Sequence, residues 1–329
     1  MTKQMNKARE NLVKEILNCL ENDDLVWRKG WITADQDRFH NPVSKTFYKG
    51  TNILSLLISS MVNGYKDTRW CTYKQANDKG WQVKQGSKGV HIEYYSMYDK
   101  AKKEYVSLSE YQKLIKNERS PEDFSLISRT YVVFNAECID GIPPREHKDR
   151  PLSNIDMNDF CQNLITNMKV GYEEWGGKAF YSPLGDTVTM PPKEYFKSQH
   201  EFDSTLLHEL SHATGHVSRL NRDLSGGFGS ESYAIEELRA EFSSIFTSQY
   251  LNINFSQVHL DNHKAYVKSW AKKIKDKPNI LFQAIKEAEK MSDYLMEKGE
   301  IEKYIDLNQE LNEHDLDDKG PKYKNDLSL

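Results

Sequence analysis

The sequence predicts an α+β chain of two domains, and three observations predict it. Charge is divided unevenly: residues 1–150 carry 25 lysines and arginines against 20 acids, whereas residues 151–329 carry 20 against 29. Residues 141–155 hold three of the ten prolines and show no apolar periodicity, which marks a boundary. Before that stretch, short strand-like runs alternate with short helices. After it, apolar residues recur mostly at helical spacing. The expected organisation is a small α+β domain over 1–140, a linker over 141–155, a second domain over 156–298 and an acidic polar tail over 299–329.

With 329 residues, 29% charged and a mean hydropathy of -0.76, the chain has the size and composition of a two-domain soluble protein. No apolar run approaches the roughly 18 residues of a membrane span, and the N-terminus has no block-like apolar region of a secretory signal. Cys19, Cys71, Cys138 and Cys161 are widely spaced, as expected of free thiols in a reducing compartment. No membrane partner and a cytoplasmic location are expected.

In the first half, Met5, Ala8, Leu12, Ile16, Leu17 and Leu20 predict an amphipathic helix over 3–21. Asn52 is a candidate cap for a helix over 53–63 closed by Gly64. A short helix over 72–79 ends at Gly80. Residues 81–84 and 90–98 then read as a hairpin around a basic, glycine-containing tip. A polar insertion at 100–128 carries no motif, and 131–137 reads as a strand. Aromatic residues interleaved with lysines and arginines mark this half, and between Arg38 and Lys100 ten basic residues face four acids. That composition suits single-stranded nucleic acid, because rings stack on bases and cations follow phosphates. It also suits an ordinary core with a solvated surface.

The second half spells out a reaction at His208-Glu209-Leu210-Ser211-His212. Histidines four apart on a helix share a face, so both imidazoles reach one metal, and the glutamate between them is placed as a base: the zinc hydrolase pattern. The helix is expected over 202–216, capped by Asp203 or Ser204. A catalytic zinc takes three protein ligands and keeps one position open. Ser218 stands where the metzincin pattern would put a third histidine, and His216 lies about two turns from His208, which leaves it a role as cap or neighbour. The next helix, from residue 236 to about 251, carries Glu236, Glu237 and Glu241. Glu237 and Glu241 have the spacing of a gluzincin ligand and the acid that orients a ligand histidine; Glu236 is the runner-up ligand. Strands are expected at 179–181 and 187–190, the latter placed to receive a substrate backbone. Helices over 156–169, 260–275 and 279–298 complete the domain.

The runs WRKGW, NPVSKTFYKGTNILSLL, RWCTYKQANDKGWQVKQGSKG and YVVFNAE resemble the N-terminal domain of ArdC-type antirestriction proteins. The runs AFYSPLGDTVTMPP, FDSTLLHELSHATGHVSRLNR and FGSESYAIEELRAE are similar to the zincin-like metallopeptidase domain of the same family. The resemblance implies single-stranded DNA as a partner, a gluzincin-type fold, His208 and His212 as ligands of Zn2+, Glu209 as base, and a glutamate of the EELRAE segment as third ligand. By stacking and charge, the DNA candidates are Trp27, Trp31, Tyr48, Trp81 and Tyr95 with Lys29, Lys49, Lys74, Lys84 and Lys88. Tyr233, His263 and Tyr266 are candidate donors to an oxyanion. The expected activity is that of a zinc metallopeptidase, a hydrolase of an unidentified protein or peptide, carried by a mobile genetic element. The alternative is a non-catalytic protein that coats single-stranded DNA and holds a structural zinc.

Overall fold

The structure, a computed structural model, describes residues 5–22, 38–145, 156–227, 230–251 and 260–304; the side chains at 109, 260–266 and 268 lie outside that description. The N-terminal unit opens with α1 (Lys7–Glu21), whose cap is Asn6, with Leu12, Ile16 and Leu20 buried along one stripe. Helix α2 (Thr51–Asn63) follows and closes on Gly64 in the left-handed region. Its N-cap position is Gly50. The expected cap, Asn52, instead exchanges two hydrogen bonds, of 2.8 and 2.9 Å, with the backbone of Glu93.

A four-stranded antiparallel sheet of order β1-β5-β3-β4 is the body of this unit: β1 (Trp70–Thr72), β3 (Val90–Asp99), β4 (Glu104–Val106) and β5 (Phe124–Asn135). Helix α3 (Tyr73–Asp78) carries a capping box between Thr72 and Gln75. The expected hairpin does not form. Strand β2 (Gln82–Val83) pairs with β6 (Ile139–Asp140), and all ten residues of β3 pair with β5. The chain turns through Gly86, at φ 82°, and reaches β3 past Gly89, where a Cβ would lie 2.2 Å from a Val132 methyl carbon. Only glycine lets the two backbones approach so closely. The insertion at 100–128 becomes β4, α4 (Leu108–Lys116) and the start of β5, closed over a small core of Met97, Val106 and Phe124.

The C-terminal unit places α5 (Met157–Met168) beside a three-stranded sheet of order β7-β9-β8: β7 (Gly171–Glu174), β8 (Phe180–Ser182) and β9 (Thr187–Met190). Four helices follow: α6 (Gln199–Ala213), α7 (Glu231–Leu251), α8 (Leu260–Asp276) and α9 (Asn279–Lys298). Helix α6 starts three residues earlier than expected because Ser198, not Asp203 or Ser204, is its cap, accepting from Glu201 N at 3.2 Å. Strand β9 is central in its sheet, so its backbone is committed on both sides and it cannot receive a substrate strand.

One apolar cluster joins the two units. Leu12, Ile16, Leu54, Leu57, Trp70 and Val133 from the first unit pack with Leu238, Phe242, Phe246, Trp270 and Leu281 from the second. The Arg9 guanidinium lies 4.5 Å over the Phe282 ring at the same seam. No helix among the described residues is long and apolar enough to cross a membrane.

Candidate metal centre

The site forms where α6 crosses α7. Ser211 and Ser243 hydroxyls lie 3.5 Å apart at the crossing, and such small side chains let the helices approach closely. The C-terminal end of α6 presents unpaired carbonyls, and two buried arginines from the following loop satisfy them. Arg219 donates to Ala213 O at 2.6 Å and Arg222 to Ser211 O at 3.1 Å. Both cations also complement the negative end of the helix dipole.

His208 and His212 face each other with their Nε2 atoms 3.2 Å apart. Glu237 reaches over from α7, one carboxylate oxygen 3.6 Å from His208 Nε2 and the other 3.6 Å from His212 Nε2. The three residues form a donor cluster with ligand atoms all within 4.8 Å of one another. Atoms bound at the usual zinc distances around a tetrahedral centre would stand about 3.3–3.6 Å apart. Two imidazoles and a carboxylate at this spacing fit a divalent metal without rearrangement.

Glu236 occupies a different place from its neighbour. Its carboxylate lies 3.4 Å from His212 Nδ1 and accepts from Arg222 at 2.6 and 3.2 Å and from Arg239 at 3.3 Å. Burial opposes its charge, but His212 and Arg222 outweigh burial and hold the carboxyl down at about 2. An ionised acceptor on Nδ1 fixes the ring so that Nε2 faces the cluster. Burial also opposes charge on His212, yet Glu237, Glu236 and Glu209 together lift the imidazole to about 9. The surroundings therefore favour a cation at this point, a proton or a metal. Glu209 is buried, which raises its carboxyl; both histidines and a hydrogen bond from the Tyr181 backbone N–H work against that rise.

A cavity of about 660 Å³ opens over the cluster, lined among others by Phe180, Tyr181, Tyr195, Phe196, Glu209 and Tyr233. Strand β8 forms one wall and is the edge strand of its sheet. Asp186, in the β8–β9 turn, is bound by Arg219, with one contact at 3.1 Å, and by the Tyr181 hydroxyl at 2.8 Å. That pair ties the edge strand to the end of α6.

The other expected site residues distribute as follows. Glu241 is buried one turn beyond Glu237. Tyr233 lines the cavity. His216 lies outside the donor cluster, with Nδ1 2.8 Å from Ser218 Oγ and 3.6 Å from Asp186. His263 and Tyr266 fall on α8 at positions whose side chains lie outside the described residues. Sequence reasoning named Glu236 only as a substitute ligand, and it missed Arg219, Arg222 and Asp186. The two arginines, spaced by three just after the second histidine, were the available signal.

Of the DNA candidates, Trp27, Lys29 and Trp31 lie outside the described residues. Tyr48 is not a free stacking ring: it packs on the main core, its hydroxyl donates to Trp70 O at 2.8 Å, and burial pushes its phenol up. Tyr95 is tied between Arg9, at 2.7 Å, and Glu93, at 3.0 Å. Trp81 packs half-buried on a small core with Val83 and Ile139. Lys49, Lys74, Lys84 and Lys88 are exposed. Lys74 pairs with Asp78 at 3.5 Å, and Lys84 donates to Glu137 O at 2.9 Å.

Two family models match the chain in order. The model for the N-terminal domain of the anti-restriction factor ArdC covers residues 6–134, and a zincin-like metallopeptidase model covers residues 159–287. The second class implies a divalent metal at the histidine–glutamate cluster. The crystal structure of the antirestriction ArdC protein from the R388 plasmid, in its Mn(II)-bound form, is 29% identical, with a TM-score of 0.69 over 89% of this chain and 98% of that one. Its metal-free form superposes with a TM-score of 0.68. The uncharacterised protein y4eC of Sinorhizobium fredii is 30% identical over 87% of this chain and 90% of its own length. A DNA primase TraC of Escherichia coli is 34% identical over 294 residues, and the chain spans only 20% of that protein. The chain belongs to the ArdC-type antirestriction family.

Proposed function

We propose that the chain is an antirestriction-type protein of a mobile genetic element that binds single-stranded DNA and hydrolyses peptide bonds at a zinc site of His208, His212 and Glu237. The observation that carries this reading is the donor cluster, at 3.2 and 3.6 Å spacings, opening into a cavity walled by Glu209 and β8. Three protein donors with a cavity above them match a catalytic zinc site; a structural one is normally closed by four. When bound, the zinc supplies Lewis-acid polarisation of the scissile carbonyl and of the attacking water.

The remaining work falls to the chain itself. Strand β8 pairs with β9 on one side, so an extended substrate segment adds along its outer edge, taking over the Tyr181 N–H from Glu209. Glu209 accepts a proton from the water as its oxygen bonds to the carbonyl carbon. The raised carboxyl suits a group that must hold this proton before delivering it to the amine nitrogen as the C–N bond breaks. Tyr233 donates to the oxyanion from the cavity wall. Glu236, held by Arg222, orients His212, and Glu241 lies one turn beyond Glu237 on that residue's side of α7.

The likeness to ArdC over most of the chain supports the antirestriction role, and the basic, aromatic first half supports single-stranded DNA. The absence of a membrane-length apolar helix among the described residues is consistent with work in the cytoplasm. The test compares new protein N-termini in cells expressing wild type and Glu209→Gln, with zinc content measured on both purified proteins. Termini that depend on Glu209 at equal zinc content are expected; identical termini overturn the peptidase. Failure of the wild-type chain to retain oligo(dT) overturns the DNA half.

A further inference from the structure

We infer that one face of the β3–β5 sheet is the platform on which single-stranded DNA stacks, with Tyr94, Tyr98 and Tyr105 as base-contacting rings and Arg129 as the phosphate or base-plane cation. The inference rests on the proposed single-stranded DNA reading and assigns it a surface.

The register gathers these residues. Tyr94 lies opposite Arg129 and Tyr98 opposite Tyr105, so all four side chains leave the same side of the sheet. Tyr131 stands on that side too, opposite Ile92. At the β1 end the face runs into the main core through Trp70, Ile92 and Val133. At the β4 end it opens: Tyr94 is 37% and Tyr105 52% exposed. On the opposite side of this end α4 packs Tyr111, Leu114 and Ile115 over Met97, Val106 and Phe124, and Leu126 beside that small core is 59% exposed. The two sides of one sheet thus end differently: one carries a small apolar core beside aliphatic and hydroxyl side chains, the other a row of rings.

Charge points to the occupant. Arg129 is the one charged residue among the strand positions on this face. Its guanidinium lies 4.0 Å over the Tyr105 ring, beside the phenols of Tyr105 and Tyr131, which are neutral neighbours. Its positive charge is therefore left for an anion arriving from outside. Tyr94 and Tyr98 are four residues apart on β3, about 13 Å along the strand, so they meet different bases. Tyr98 and Tyr105 rings lie 5.2 Å apart and Tyr94 and Tyr131 rings 6.1 Å apart, in tilted and edge-on rather than face-to-face pairs. Duplex DNA keeps its base faces stacked inside; a single strand presents them to such rings.

The test is anisotropy of labelled oligo(dT) with the full-length chain. Tyr94→Ala/Tyr105→Ala is expected to weaken binding by about tenfold or more, and Tyr94→Phe/Tyr105→Phe, which keeps both rings, by less than about twofold. Arg129→Gln is expected to reduce the slope of log affinity against log salt by about 0.7. Photocrosslinking of an iodouridine-substituted strand to the wild-type chain is expected on Tyr94, Tyr98 or Tyr105, a readout that does not depend on how the variants fold. Wild-type affinity in the folded alanine pair, or crosslinks confined to other residues, overturns the inference while single-stranded DNA binding stands. No binding by the wild-type chain removes both.

Discussion

The crossing of α6 and α7 and the tyrosine face of the β3–β5 sheet are two ways of assembling a surface from one chain. At the crossing, the chemistry is local: His208, Glu209 and His212 sit within two turns of one helix, and Glu237 arrives from the next. On the sheet, Tyr94, Tyr105 and Arg129 come from three strands and meet only through register. The helical site is largely buried, and the carboxylate of Glu236, itself in contact with His212, is held in turn by Arg222. The sheet surface is open and held by few polar bonds. Substitutions at the first should act steeply and at a point; at the second they should act gradually and in sum.

The largest expected effect is on the proposed ligand set. Glu237→Ala removes a donor, and metal analysis after dialysis is expected to show loss of bound metal. Glu236→Ala keeps the three donors and frees the His212 ring, for which a loss of about 10–100-fold in metal affinity is expected. Equal retention in both variants would break the separation of their roles. Arg222→Ala should resemble Glu236→Ala, because the carboxylate it holds would lose its nearest cation.

The Asp186–Arg219 pair tests how far the helical site depends on its frame. Burial opposes the Asp186 charge, but Arg219 and the Tyr181 hydroxyl outweigh it and hold the carboxyl below its ordinary 3.8. Asp186→Asn is expected to destabilise the fold by on the order of 2 kcal/mol at neutral pH. Because the folded value lies below the unfolded one, the unfolded chain takes up the proton first as pH falls. The wild-type advantage should therefore be full above about 3.8 and shrink as the pH drops through the folded value. Denaturant unfolding of both proteins at several pH values measures it; a gap that widens in acid would reject the pair as its source.

How much of this was legible follows from the same contrast. The His208–His212 spacing, the Glu237 partner and the helices from α5 to α9 could be read because a helix brings residues four apart together whatever its neighbours do. Ser198, not Asp203, caps α6, since Ser198 lay outside the apolar pattern used to place the helix. The β2–β3 hairpin failed because two runs separated by a turn signal can each find a better partner; β3 found β5, whose paired residues lie about 25 to 43 positions further along the chain. The same long-range pairing hid the tyrosine face, and Tyr48, chosen for its neighbouring lysine, turned out to be needed inside. Arg222 was illegible for a third reason: an arginine in a loop declares no partner until helix ends are placed.

Tyr48 gives the smallest effect and the sharpest division between aromatic residues that build the unit and those that face outward. Tyr48→Phe deletes the hydroxyl that donates to Trp70 O at 2.8 Å and lies 3.5 Å from Asn41 Nδ2. The ring and its packing on the core remain, so the expected cost is about 1–2 kcal/mol of stability, from the lost bond and a Trp70 carbonyl deprived of that donor. Oligo(dT) affinity should not change, because this phenol has no free face to offer. Were Tyr48→Phe to weaken DNA binding at unchanged stability, the division would fail at this residue, because its hydroxyl would then serve DNA rather than the Trp70 carbonyl. A drop in stability with unchanged binding places the Tyr48 hydroxyl with Trp70 in the frame that holds the sheet, apart from any surface that meets DNA.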